Sequence, residues 1–144
     1  MKYVFIVGAL VVGLALPTIG AAQGAANASA SNSLGSVTLA NKVMADGKPL
    51  APGTYQVRLT GEQPKPGAGQ SPDAEKYVEF LRGGKVVARE VATVISAADI
   101  DTIIKTAKPR PNTSKVERLK GDDYIRVWIN RGGNNYIINL PTAA

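Results

Sequence analysis

The chemistry open to this chain is narrow, because its 144 residues include no histidine and no cysteine. Thiol nucleophiles, disulfides, His- or Cys-ligated metals and His-dependent triads are thereby excluded. Carboxylate, lysine and hydroxyl groups remain. Three carboxylate pairs lie close in sequence: Glu75 with Glu79, Asp99 with Asp101, and Asp122 with Asp123. Paired carboxylates are the machinery of glycoside hydrolysis. All three pairs sit near turns or at the ends of apolar runs, where solvated acids are the rule, so a carboxylate-dependent carbohydrate-active enzyme is retained only as an alternative. The two Asp pairs also offer oxygens to Ca²⁺, but neither carries the further ladder of ligands that this ion needs. Asp122 is better suited to shaping a turn. Ser96, Ser114 and Lys115 are the residues for Ser–Lys catalysis. Ser114 and Lys115 are neighbours in an extended segment and therefore point to opposite faces. Gly83-Gly84 and Gly132-Gly133 are flanked by strand-like runs, whereas a phosphate cradle requires a strand, a loop and a helix start. The chain is expected to be non-enzymatic, with no catalytic residue, cofactor or metal ligand assigned.

Binding chemistry is better represented. Tyr124, Arg126, Trp128 and Asn130 alternate with apolar residues and project from one face, an aromatic and basic row able to stack on sugar rings or meet anionic groups. Its competing use is structural, with Trp128 packed beneath a loop and Arg126 reaching outward along its stem. A second feature is basic: Lys108, Arg110, Lys115, Arg118 and Lys120 cluster between Ala107 and Gly121. Strand alternation places Lys115 with Glu117 and Leu119, and Arg118 with Val116 and Lys120. This dilutes any stripe and also suits the protection of an edge strand.

The elements that must carry these side chains are strands. Val37, Leu39 and Val43 alternate with polar or small residues, as do Tyr55, Val57 and Leu59, and Ile125, Val127 and Ile129. Turn signals separate the runs. These are Asp46-Gly47-Lys48-Pro49, Ala51-Pro52-Gly53, Gly83-Gly84 in a hairpin, Gly121-Asp122, and Arg131-Gly132-Gly133-Asn134 in a second hairpin. Gly61 to Ala74 reads as a surface loop, and Lys108-Pro109-Arg110-Pro111-Asn112 as a stiff basic connector. Within Ser96–Ala107, the β-branched content of Asp99–Ile104 favours a further strand over a helical turn. About seven short strands predict a single antiparallel β-sandwich or small barrel. The expected core is Val37, Leu39, Tyr55, Val57, Leu59, Val78, Phe80, Val87, Val91, Ile125, Val127, Ile129 and Ile138.

The start of the chain addresses it. Lys2 precedes an uncharged, largely apolar run of about 14 residues, which ends at Pro17 and is followed by Gly20, Ala21 and Ala22. This is the order of a secretory signal peptide, and the run is short against the roughly 20 residues of a spanning helix. Residues 1–22 are read as the signal peptide, with cleavage after Ala22 and alternative sites after Ala28 or Ala30. Residues 23–35, rich in Ala, Ser, Asn and Gly, are read as a flexible tail, and residues 36–144 as the β-domain. The product is expected in the periplasm or outside the cell, with no transmembrane span after cleavage.

Leu50-Ala51-Pro52-Gly53-Thr54-Tyr55-Gln56-Val57, preceded by the Gly47-Lys48-Pro49-Leu50 turn, resembles the L-P-A-G-T-Y-x-V segment of small exported bacterial β-proteins without an assigned activity. The likeness spans Val37 to Leu59, with the Ala-Pro order exchanged. It implies an exported β-domain and transfers no functional residue. Pro52-Gly53 is expected to turn the chain and Tyr55 to be the first inward residue.

Without residues 1–22 the chain holds 16 basic against 11 acidic residues, a net charge of +5. That balance favours acidic partners, namely anionic envelope polysaccharide or lipid head groups, or another exported protein. Nucleic acid is not expected, since it conflicts with export. The function read from the sequence is a binding or structural protein of the bacterial envelope or extracellular space. A second alternative is a self-assembling filament or surface-layer subunit, a homo-oligomer in which Ser36–Met44 pairs with another subunit's sheet edge.

Overall fold

A computed structural model describes residues 32–143. These residues form nine strands and one helical turn. These are β1 (Ser33–Leu39), β2 (Val43–Ala45), β3 (Lys48–Leu50), β4 (Gly53–Leu59), β5 (Glu75–Arg82), β6 (Lys85–Ser96), α1 (Ile100–Ile103), β7 (Thr113–Arg118), β8 (Tyr124–Arg131) and β9 (Asn134–Pro141). Seven of them form one sheet in the order β1-β4-β5-β6-β9-β8-β7, and every pairing is antiparallel. The sheet curls until its edges β1 and β7 face each other, giving a nearly closed barrel. Alternating antiparallel pairings across seven strands leave β1 and β7 running the same way. At this seam the Ser114 hydroxyl donates to the Ser36 carbonyl at 3.1 Å.

Turn chemistry sets the registers. Gly83 and Gly84 have φ of 59° and 77°, and Gly132 and Gly133 have 60° and 78°, so each pair supplies the two left-handed residues of a tight hairpin turn. Asp46-Gly47 does the same between β2 and β3, at φ of 48° and 72°. Asp122, at φ 60°, lies in the β7–β8 turn, where its amide bonds to the Leu119 carbonyl.

The barrel interior is filled from six of the seven strands; β7 contributes no buried residue. Val37, Leu39, Tyr55, Val57, Val78, Phe80, Ile125, Val127, Ile129, Ile138 and Leu140 form one buried cluster. Tyr55 is inward, as its position after Pro52-Gly53 predicts, and its hydroxyl donates to the Ala51 carbonyl at 2.6 Å. The β2–β3 hairpin links the end of β1 to the start of β4, and so sits at one end of the barrel. It adds Val43, Ala45 and Leu50 to the same cluster. Its tip is held where the Asp46 amide donates to Glu90 Oε2 at 2.9 Å. The connection from β6 to β7, which contains α1, lies at the opposite end.

Three expectations need correction. Val87 is exposed, and Leu59 and Val91 are only half-buried. A bulge opposite Phe80 and Leu81, where Ala88 pairs with Phe80 but Val86 with Leu81, leaves Val87 as the extra residue. The inward positions of β6 go to Ala88 and Ala92, both buried, and Val91 falls on the outer side. Alternation alone identified a strand here but selected its larger face.

The second correction concerns the tail. Residues 33–35 belong to β1, and Leu34 is core. An irregularity between Ser33 and Gly35 turns Leu34 inward. Residues 1–22, and 23–31 of the proposed tail, lie outside the described residues.

The third is Asp99–Ile104, which forms the helical turn α1 and not a strand. Ser96 initiates it. Its hydroxyl donates to Asp99 Oδ2 at 2.7 Å, and the Asp99 amide returns a bond to Ser96 Oγ at 3.2 Å. Helical spacing then brings Ile100 and Ile104 onto the same surface.

Candidate functional site

The outer face of the sheet carries a second, smaller apolar cluster: Ile95, Ile100, Trp128 and Ile137, with Ile104 packed against it. Trp128 projects outward from β8, opposite Ile137 of β9, and the β6–β7 connection folds over it. The indole is wholly removed from solvent. Its Nε1–H donates to Asn135 Oδ1 at 2.8 Å, and the Lys115 ammonium lies 5.2 Å from the ring centroid.

The aromatic and basic row is therefore not a continuous stacking platform. Tyr124 is exposed at one end of the barrel, and Trp128 is covered. Arg126 is half-buried against Glu117 at 3.6 Å. Asn130 Nδ2 donates to the Pro109 carbonyl at 2.9 Å. Asn130 lines a hollow. The structural use of Trp128, packing beneath a loop, is the one realised.

The basic cluster is also taken apart. Lys108 and Arg110 lie before β7, at the α1 end of the barrel, while Arg118 and Lys120 lie at its other end. Lys115, on the outer face between them, bonds to the Ala107 carbonyl and pairs with Glu117 at 2.5 Å. Lys108 pairs with Asp101 at 2.9 Å, and Arg118 with Asp122 at 3.6 Å. Five cations close in sequence are thus spread over the length of one strand and both of its faces.

The carboxylates are similarly dispersed into local roles. Glu79 binds Arg58 Nε at 2.7 Å, Asp99 holds the Ser96 turn, and Asp101 and Asp122 engage Lys108 and Arg118. Ser114 faces the seam, whereas Lys115 faces Trp128, the opposition expected of strand neighbours. Among the described residues no group of three or more metal-ligating side chains converges.

What the fold does assemble is a hollow of about 350 Å³ at the α1 end of the barrel, on its outer side. Asn130 and Asn135, paired across the β8–β9 hairpin, line its floor. Ala97 and Ile100 wall one side, Lys108, Pro111 and Asn112 the other, and Gly132-Gly133 the rim. Two backbone bonds fix these walls to the hairpin: the Ala97 amide to the Gly133 carbonyl at 3.1 Å, and the Asn112 amide to the Asn130 carbonyl at 2.8 Å. A second, more open hollow of about 530 Å³ lies across the Ser96–Asp99 turn, bordered by Asp73, Lys76, Asp99 and Asn134. Asn135 was not singled out by sequence reasoning. The signal for it is a second polar residue opposite Asn130 in the Gly132-Gly133 hairpin, visible once register is assigned.

No protein-family model, curated protein or solved structure matches this chain. The fold and its surface thus define a small antiparallel β-barrel protein with an open recess on one end of its outer face. Among the described residues no helix is long and apolar enough to cross a membrane.

Proposed function

We propose that the chain is an exported, non-catalytic binding protein of the bacterial envelope or extracellular space, and that its ligand is an anionic envelope polysaccharide. One observation carries the proposal: the cation-bearing connector Lys105–Arg110 is folded beside an open hollow, with Lys108 on its wall. A recess bounded by amide groups, apolar carbons and a cation suits a polar, acidic chain better than it suits a lipid head group at a flat surface. The excess of basic over acidic residues adds long-range attraction for the same class of ligand. The leader-like residues 1–22 support export.

The test has two parts. Expression of the full chain in a bacterium is expected to yield a fractionated product beginning at Gln23, measured by intact mass. Retention of residues 1–22 on a cytoplasmic product overturns the export half. Co-sedimentation of the purified protein with acidic polysaccharide, with anionic vesicles and with neutral polysaccharide is then compared at low and high salt. Binding to the acidic polymer is expected to weaken steeply as the Debye length falls from about 10 Å at 0.1 M to about 3 Å at 1 M. Preference for vesicles, or no salt-sensitive binding, overturns the ligand class. Turnover of a glycan abolished by one carboxylate substitution overturns the non-catalytic role.

The filament alternative draws no support from the sheet pairing. Ser36–Leu39 is paired with β4 along one edge and faces β7 across the seam along the other, and Val43 and Met44 are paired with β3.

A further inference from the structure

We propose that the hollow above Asn130 and Asn135 is a seat for one acidic sugar unit, recognised by an amide donor, an amide acceptor and the Lys108 ammonium. This seat presupposes the envelope-polysaccharide role proposed above and locates it.

Asn135 is the one buried polar residue among those described, 1% exposed. Indole nitrogen only donates, so the bond from Trp128 Nε1 identifies the Asn135 atom that accepts it as Oδ1 and fixes the amide orientation. Asn135 Nδ2 is then left with two N–H donors and no hydrogen-bond acceptor among the described residues, on a side chain that lines the hollow. The buried side-chain atoms without a partner among the described residues are Arg89 Nε and Arg126 Nε; the Asn135 donor instead opens onto the recess, held in a fixed direction and available to a hydroxyl there.

Asn130 supplies the complement. Its Nδ2 is committed to the Pro109 carbonyl, which leaves Oδ1 to accept. Asn130 and Asn135 are direct register partners on one face of the hairpin. A fixed donor beside a fixed acceptor matches a hydroxyl, which both donates and accepts, or a pair of neighbouring hydroxyls. Pro111, exposed at the wall, offers apolar surface to the C–H face of a ring. Lys108 stands at the wall, paired only with Asp101 through an exposed bridge, 42% and 70% exposed on the two sides. Such a pair is weak and exchanges readily for a ligand carboxylate. The volume, about 350 Å³, is at the small end of ligand sites, which run from roughly 300 to 1,000 Å³. The neighbouring hollow is bordered by Asp73 and Asp99, which disfavour an anion there.

The chain contains a single tryptophan, so emission excited selectively at the red edge, where tyrosine does not absorb, reports on Trp128 alone. The experiment titrates the purified protein with oligogalacturonate, and in parallel with a neutral malto-oligosaccharide, following Trp128 emission and the side-chain amide resonances of Asn135 by NMR. Oligogalacturonate is expected to shift both signals, and the neutral sugar to bind at least tenfold more weakly. Ala97→Phe, which fills the recess from an exposed position, and Lys108→Glu are each expected to weaken binding of the acid tenfold or more. Melting curves verify that both variants fold. The Asn135 resonances test the seat without any substitution. Oligogalacturonate binding that leaves those resonances unmoved, or that survives both variants, overturns the seat while leaving the envelope-binding role intact. Equal binding of the neutral sugar removes the part given to Lys108. If neither oligogalacturonate nor any other acidic polysaccharide binds, both proposals fall together.

Discussion

Trp128 donates its indole N–H to Asn135 Oδ1 across 2.8 Å, and the indole is shut away from solvent on the outer side of the barrel. The bond joins β8 to β9 and forms the base on which the β6–β7 connection rests. Replacing Asn135 with Leu leaves the indole N–H buried and unpaired. We expect a loss of about 1–3 kcal/mol of stability, measured by urea unfolding followed by circular dichroism.

The interior of the barrel should be far less forgiving than its surface. Val57 and Val127 are fully buried, and Val57→Asp or Val127→Asp places an unpaired charge among apolar side chains. Either change is expected to prevent folding, seen as loss of strand circular dichroism at 25 °C. Phe80→Ala, which empties a fully buried site, is expected to cost about 3–5 kcal/mol.

Val87→Thr provides the matching control. The bulge in β6 puts Val87 outside, 37% exposed, so the expected change stays within about 0.5 kcal/mol. The equivalent Val78→Thr, at a fully buried position on β5, is expected to cost several times more. Equal effects in chemical denaturation would contradict the bulge.

The two glycine hairpins set the register, so their substitution should follow turn geometry. Gly132→Val forces a β-branched residue to φ near 60° and is expected to destabilise by about 1–2 kcal/mol. Gly132→Asn, a residue that tolerates this region, is expected to lose less. Thermal melting of the pair decides between them.

Much of the barrel was legible because its rules are local. Alternation at Tyr55–Leu59 and Ile125–Ile129 identified inner faces, and paired glycines identified hairpins. The β6 face was not legible, because a one-residue bulge reverses alternation without leaving a compositional mark. Nor was α1, whose β-branched residues suggest a strand but whose Ser96–Asp99 turn and the apolar seat over Trp128 determine the outcome. The candidate site was the least legible part. Lys108 and Asn130 were singled out for groups that the fold disperses. The hollow they share depends on a connector of more than ten residues folding back across the sheet, a long-range event that no spacing in the sequence records.

An antiparallel ladder cannot propagate around a ring of seven strands, so this barrel has one place where regular backbone pairing stops, between β1 and β7. Amides of these strands that face the seam therefore lack the ladder bonds that protect their neighbours, and should exchange with solvent deuterons well ahead of those in β5, β6 and β9. The same geometry has a protective side. Each exposed strand edge is shielded by the other, with Ser114 and Ser36 holding them together, so the molecule offers little free template to a second chain. A cysteine-free protein with no covalent staple thus hides its two aggregation-prone borders in a single narrow cleft, whose opening rate would set how often they are seen.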